Sequence, residues 1–250
     1  MPISDVIPLY RLRINTARLA LRLPHPDELP LLADCAREPI HAVGEEPFEN
    51  PIGSARSSWS SAPPEDRARR VVQVQLGEVA RWTADNWHLE LGVWLDGKPI
   101  GVQTLYSKHF PVTREAVTIS WLTLAQQGNG YGTEARAGVL GFAFDWLQAR
   151  SCRSRSFRTN GKSVGVSERL GYRDDGIDVE AVYGGVARTS RRFRMEAADW
   201  RSRLRPPVTV TGFDGDCRTW FGLGSEGAGE AGRIRGHGGT EPFRATHHVC

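Results

Sequence analysis

A chain of 250 residues, 40% hydrophobic and 24% charged, has the composition of an ordinary soluble globular protein, with ample material for one large core or two small ones. Its 32 basic and 29 acidic side chains leave a net charge of +3, too slight a bias to point to nucleic acid, although the stretch from Arg188 to Arg194 leaves a local basic patch open. Four scattered cysteines, Cys35, Cys152, Cys217 and Cys250, contain no CxxC pair, so they suggest neither a zinc knuckle nor a redox dithiol, and no metal is expected.

The N-terminus, MPISDVIPLYRLR, lacks a basic segment followed by an apolar stretch, and no later run approaches the roughly 18 apolar residues of a membrane span. The chain therefore reads as cytoplasmic, without a membrane partner. Alternation from Arg18 to Leu23 predicts a strand, and Pro26 to Ala33 a helix opened by Asp27 and Pro30. Residues 38 to 64, with Pro39, Pro47, Pro51, Pro63 and Pro64, read as loop. A helix is expected over Glu65 to Ala84, with Val72, Leu76, Val79 and Trp82 near one face.

Two alternating runs, His88 to Leu95 and Ile100 to Tyr106, flank Asp96-Gly97-Lys98-Pro99 as a hairpin, and Ala116 to Leu124 completes an antiparallel meander. Helical spacing returns from Gly132, with Ala135, Val139, Phe142, Ala143, Trp146 and Leu147 as its apolar positions. A short strand (Ser154 to Arg158), a helix (Ser163 to Leu170) and strands near Val179 to Tyr183, Thr189 to Met195 and Val208 to Phe213 follow. The pattern is α/β, with a mixed, mostly antiparallel central sheet flanked by helices in a single domain over residues 1–223. The Gly-rich residues 224–250 cannot offset their ordering entropy and are expected to be disordered.

Between the meander and the helix stands QQGNGYGTEA, residues 126 to 135. A strand that runs into glycines and then a helix gathers backbone N–H groups and the positive end of the helix dipole at one spot, which suits a phosphate or pyrophosphate. Glycines keep β-carbons out of the ligand's path and permit positive φ. The loop lacks the Gly-Lys-Ser/Thr ending of a P-loop, does not read GxGxxG, and does not follow the parallel βαβ opening of a dinucleotide fold.

Gln127-x-x-Gly130-x-Gly132 after an antiparallel meander resembles the GNAT superfamily of acyl-CoA-dependent N-acyltransferases, whose pyrophosphate loop reads [Arg/Gln]xxGx[Gly/Ala]. Thr16-x-Arg18-Leu19-x-Leu21-Arg22 is similar to the first strand of the branch that contains ribosomal-protein N-terminal acetyltransferases. Asn160-x-x-Ser163 followed by Glu168-Arg169-Leu170-Gly171-Tyr172 resembles that branch's second CoA-contacting segment. The combination of Val102-Gln103, Ser107-Lys108-x-Phe110-Pro111-x-Thr113-Arg114, Gly130-Tyr131-Gly132-Thr133-Glu134 and Gly171-Tyr172-Arg173-Asp174 is similar to an actinobacterial subgroup that includes a mycobacterial succinyl-CoA-using member.

The resemblance implies a GNAT fold and transfer of an acyl group, succinyl or acetyl, from acyl-CoA to an amine by direct attack in a ternary complex. Acyl-CoA (succinyl-CoA or acetyl-CoA) is then the cosubstrate. Its pyrophosphate is expected at Gln127 and over the amides of Gly128, Asn129, Gly130, Tyr131, Gly132 and Thr133, its pantetheine arm along the backbone of Leu122 to Leu124, and Asn160 and Ser163 on the other side. Many members place a tyrosine acid seven residues after the asparagine. Ser167 stands there in this chain, which leaves Ser163 and Ser167 as catalytic candidates able to hydrogen-bond the sulfur. Glu90, His88, Glu115 and His109 are open candidates for the base that takes the amine's proton. A succinyl carboxylate would need a cation, with Lys108, Arg114 or, third, Arg158 as candidates.

The acceptor is a protein lysine, a protein N-terminus or a small-molecule amine, and segment 38–64, with Phe48 and Trp59, lies where this fold shapes the acceptor side. A homo-oligomer is expected from the resemblance, with no nucleic-acid partner. One rival is an acyl-CoA-binding sensor or structural module without turnover. Another is a nucleic-acid or interaction domain using Arg188, Arg191, Arg192 and Arg194, which strand alternation would split between two faces.

Overall fold

The computed structural model describes residues 1–42, 59–182 and 186–225. In chain order the elements are β1 (Arg13–Asn15), β2 (Ala20–Arg22), α1 (Leu29–Arg37), α2 (Pro64–Ala80), β3 (Asn86–Leu95), β4 (Lys98–Lys108), α3 (Phe110–Thr113), β5 (Glu115–Leu122) and α4 (Tyr131–Gly141). They continue with β6 (Ser151–Phe157), α5 (Gly161–Leu170), β7 (Arg173–Val182), β8 (Val186–Glu196), α6 (Ala197–Arg201), β9 (Thr209–Thr211) and α7 (Gly215–Trp220). The strands form one sheet in the order β7-β8-β6-β5-β4-β3-β2-β1-β9. Every pairing among these strands is antiparallel except β5 with β6, which α4 connects.

The β3–β4 hairpin follows from its turn. Asp96 (φ 49°) and Gly97 (φ 78°) both take the left-handed conformation of a two-residue hairpin loop, and Leu95 pairs with Lys98. Lys98 and Pro99 therefore join the ladder rather than the loop. Alternation then sorts the faces: Trp87, Leu89, Leu91 and Val93 of β3, Leu105 of β4 and Leu122 of β5 enter the main core with α4. Val102 and Trp121 turn to the opposite face, where α1 and α2 contribute Leu32, Ala36 and Val71.

Two expectations need correction. Helix α2 ends at Ala80, four residues early, and buries Arg67, Ala68, Val71 and Gln75 while Leu76 is 50% exposed. Arg67 sets this phase by donating to the carbonyls of Ala36, Arg37, Glu38 and Ala62, which anchors α2 to the end of α1. Trp82, read as the last residue of the helical face, lies beyond the helix and stacks on Trp87 at 5.8 Å. The other correction concerns β1 and α7, both absent from the sequence reading. Strand β1 pairs with β2 and β9, and α7, capped by Asp214 Oδ1 accepting from the Cys217 amide at 2.9 Å, leads into fully buried Phe221. Phe221 packs on Trp82, Trp87, Phe142 and Phe213, so this C-terminal segment belongs to the core. The expected disordered tail lies, from residue 226 on, outside the described residues.

One feature of the sheet positions the site. Strand β5 pairs with β4 as far as Leu122 (opposite Gly101), but with β6 only from Glu115–Ser151 to Thr118–Ser154. Beyond Thr118 the two parallel strands part, opening a wedge-shaped cleft toward the glycine loop.

Candidate active site

The glycine loop sits at the wide end of that cleft. Gly128 and Gly130 have φ of 82° and 81°, a region that a β-carbon disfavours, and Gly130 precedes the first turn of α4. The amides of Gly128, Asn129, Gly130, Tyr131, Gly132 and Thr133 have no hydrogen-bond partner among the described residues. Six successive free donors at a helix N-terminus form a cradle for an anion.

Glu134 fixes the cradle to the sheet. Its carboxylate accepts from Thr16 Oγ1 (2.7 Å), the Arg18 amide (2.8 Å) and Arg18 Nε (2.7 Å), while Arg18 Nη1 reaches Asn129 O at 3.2 Å and the guanidinium lies 4.5 Å from the Tyr131 ring centroid. Burial opposes ionisation of Glu134, but the hydrogen bonds from Thr16 and Arg18 outweigh it and hold the carboxyl below its usual value. Gln127 does a similar service on the other flank, donating to Ile40 O (2.7 Å) and Leu122 O (3.0 Å) and accepting from Lys162 Nζ at 3.2 Å. The sequence reading missed both Glu134 and Lys162 as site residues. The Thr16-x-Arg18 segment and the Asn160 segment that bring them to the loop were its visible signals.

Within the cleft, the Thr123 amide donates to Ile100 O of β4's side, so alternation turns Ser120 and Leu122 toward the open edge that faces β6. The Leu124 amide is engaged by Pro39 O at 2.7 Å. The open backbone edge thus comprises the groups of Ser120 and the Leu122 amide, the Leu122 carbonyl being held by Gln127, and lies upstream of the expected Leu122 to Leu124. From the facing side, Asn160 caps α5, its Oδ1 accepting from the Ser163 amide at 3.1 Å. Asn160 Nδ2 and Ser163 Oγ make no hydrogen bond among the described residues, so both remain available to a ligand.

Ser167 is different. It is fully buried, accepts from Arg136 Nη1 at 3.0 Å and contacts Ser163 O at 3.4 Å. Arg136, on α4, is only 3% exposed and also reaches Ser154 Oγ (3.3 Å) and Ser120 Oγ (3.1 Å). No carboxylate among the described residues pairs with it.

The four candidate bases separate clearly. Glu115 is held by Arg153, Arg194 and Ser151, and exposed His109 has its Nδ1 2.6 Å from Asp85 Oδ2; both are below the closed end of the cleft. His88 stacks on Tyr106 at 4.6 Å, and burial pushes its basicity down. Glu90 accepts from Thr104 Oγ1 at 2.8 Å, and burial, reinforced by Glu78 and only partly offset by Thr104, pushes its carboxyl up to about 7. Glu90 is opposite Thr104, and Thr104 opposite Ile119, the first β5 residue past the cleft's closed end. That row lies on the face covered by α1 and α2, where Ile119 is 52% exposed and Trp121 meets Trp59 edge-on at 5.5 Å. Much of segment 38–64, expected to shape this side, falls at residues 43–58, outside the described residues.

The proposed acyl-carboxylate residues lie elsewhere. Lys108 is exposed at the end of β4, and Arg114, reaching Leu147 O at 3.4 Å, precedes β5, with the paired residues 115–118 between it and the cleft. Arg158 is exposed just past β6, at the wide end. Three arginines of β8 are engaged with acids: Arg191 with Asp174 and Glu168, Arg192 with Asp178, Arg194 with Glu115 and Glu196. Among the described residues there is no cluster of metal-ligating side chains, and no helix is long and apolar enough to cross a membrane.

A mixed sheet that splays between two parallel strands, with a free-amide loop at the mouth of the splay, defines an acyltransferase architecture. Residues 18–173 match the acetyltransferase (GNAT) domain, and the chain belongs to that family of acyl-CoA-dependent N-acyltransferases. Among solved structures it is similar to RimJ of Mycobacterium smegmatis in complex with CoA-disulfide, at 18% identity, with 76% of this chain and 87% of that chain covered and a TM-score of 0.56. It is similar also to a GNAT-family acetyltransferase from Bacillus anthracis (15% identity, 74% and 99% covered, TM-score 0.55). A third is the spermidine/spermine N-acetyltransferase SpeG from Vibrio cholerae (16% identity, 75% and 99% covered, TM-score 0.53). At these identities the likeness is one of fold.

Proposed function

We propose that the protein transfers an acyl group from acyl-CoA, with its pyrophosphate on the amides of residues 128 to 133 and its pantetheine arm along the open edge of Ser120 and Leu122. The observation that carries this reading is the run of six unpartnered amides at the mouth of a cleft whose wall is an unpaired strand edge. Asn160 Nδ2 and Ser163 Oγ contact the arm from α5, and a backbone N–H of the open edge faces the thioester oxygen as charge develops on it.

The amine approaches over Ile119 and Trp121 from the α1/α2 face. Glu90, about two strand spacings (~10 Å) from Ile119, receives its proton through solvent in the cleft. A carboxylate that titrates near 7 is well matched to that task at neutral pH. The acceptor is a protein N-terminus, a lysine or a polyamine-like small amine, and the acyl group acetyl or succinyl. Release of CoA thiol from acetyl-CoA and from succinyl-CoA over a panel of these amines tests the reading. Amine-dependent release with one of the two donors supports it, and equal or better release from acetyl-CoA counts against a succinyl donor.

A further inference from the structure

Among the described residues, Arg136 is the one buried charge in the cleft that the proposed chemistry leaves without a task. Its Nη1 and Nη2 are oriented by Ser154, Ser167 and Ser120, which are neutral, and its Nε is buried without a partner. Tyr172, a titratable group whose charge would act on Arg136, is no counter-ion: it is buried, its hydroxyl lies 3.3 Å from Thr118 Oγ1, and burial pushes its titration upward, so it stays a neutral phenol. A guanidinium enclosed without an anion is costly, and a bound anion relieves that cost.

Position indicates which anion. The three serines belong to β5 at its open edge, to β6 at the last paired residue, and to α5, so the guanidinium spans the closed end of the cleft. A ligand arm that starts at the glycine loop and runs down the open edge ends there. The end of the acyl-CoA arm is the thioester. Ser167 Oγ lies 3.0 Å from Nη1, so the guanidinium occupies the space into which a longer side chain at 167 would extend.

We propose that Arg136 is a catalytic residue, the fixed counter-ion of the CoA sulfur as it departs as a thiolate, replacing proton donation by charge pairing. The amine nitrogen bonds to the thioester carbon, and the carbon–sulfur bond breaks with its electron pair on sulfur. The amine's proton passes to Glu90 and on to solvent, and Arg136 stays protonated throughout. The inference rests on acyl-CoA occupying the cleft.

The test needs no acceptor. Affinities of CoA and of desulfo-CoA are measured by calorimetry at about pH 6 and about pH 9 for the wild type, Arg136→Met and Arg136→Lys. Each unit by which a site lowers the thiol's titration is a tenfold gain for CoA over the sulfur-free compound. In the wild type the CoA-to-desulfo-CoA affinity ratio is expected to rise about tenfold or more with pH, in Arg136→Lys to rise less, and in Arg136→Met to stay flat. In turnover, Arg136→Met lowers kcat with little change in KM for acyl-CoA, because the bound thioester is neutral. Binding of both compounds by the wild type with a flat ratio, or the same rise in Arg136→Met, overturns this role alone. Failure of the wild type to bind either compound overturns the acyl-CoA reading and this role with it.

Discussion

Glu90 Oε2 accepts the Thr104 hydroxyl at 2.8 Å, and Thr104 stands opposite Ile119, where β5 leaves β6. One cross-strand row thus joins the carboxylate with the most raised titration to the end of the cleft at which an acyl group would lie. Glu90→Gln should lower kcat/KM by about 100-fold or more, the usual scale of general-base catalysis. The wild-type kcat/KM should climb through an acid limb centred near 7, and that limb should be missing from the variant; an unchanged limb would assign it to another group.

The same carboxylate makes the folded protein sensitive to pH in a definite sense. Glu90 holds its proton in the folded chain up to about 7 but only to about 4.5 when unfolded, so stability declines as pH rises across that window, by up to about 3 kcal/mol. Glu90→Gln should flatten this decline in urea unfolding at a series of pH values. Glu134 works in the opposite sense, since its folded carboxyl is held below the ordinary value: its contribution is present at neutral pH and is lost as pH falls through that depressed value. Glu134→Ala should cost about 2 kcal/mol at pH 7 by stranding the donors of Thr16 and Arg18.

The two motif glycines answer to different demands. A β-carbon at Gly132 would meet only Leu122 Cδ1 at 3.7 Å and Val166 Cγ2 at 4.0 Å, ordinary contacts, whereas Gly130 needs its positive φ. Gly132→Asp places a carboxylate in the first turn of α4, which favours the helix by about 0.5 kcal/mol. It should nonetheless weaken CoA binding about tenfold or more at low salt, by opposing the pyrophosphate. Thermal melting and calorimetry on one sample separate the two effects, and undiminished CoA affinity would reduce the loop to a turn. Gly130→Ala should lose about 1 kcal/mol of stability as well.

Ser167 and Asn160 should also part company. Ser167 is buried and is one of three serines that orient Arg136, so with Ser154 and Ser120 still in place Ser167→Ala should reduce kcat less than about tenfold. Asn160→Ala removes a helix cap, costing about 1 kcal/mol, and takes away an amide donor, so KM for acyl-CoA should rise with it. Steady-state kinetics of the pair decide the matter; a kcat loss in Ser167→Ala larger than that in Arg136→Met would give that hydroxyl a chemical role of its own.

What the sequence made visible was local. The hairpin was legible because Asp96-Gly97 dictates its own turn, and the glycine loop because three glycines between a strand and a helix have few other uses. The face of α2 was misread because its phase is set by Arg67 bonding to carbonyls of another segment, a contact that periodicity cannot register. The parting of β5 from β6 leaves no trace in alternation, which continues through Ser120 as if the ladder did. Arg136 had a faint signal, a lone arginine in the stretch from Ala135 to Gly141, whose other residues are small or apolar, and only the fold shows that it is enclosed without an acid among the described residues.

The central claim is that this cleft carries an acyl group from CoA to nitrogen. Its most direct test is incubation of the wild type with CoA thioesters labelled in the acyl group, together with the amine panel, followed by mass analysis of the amines. The account predicts label on one class of amine as an amide, in step with free CoA thiol. Tight CoA binding with no labelled amide in any acceptor would contradict it and make the protein a binding module.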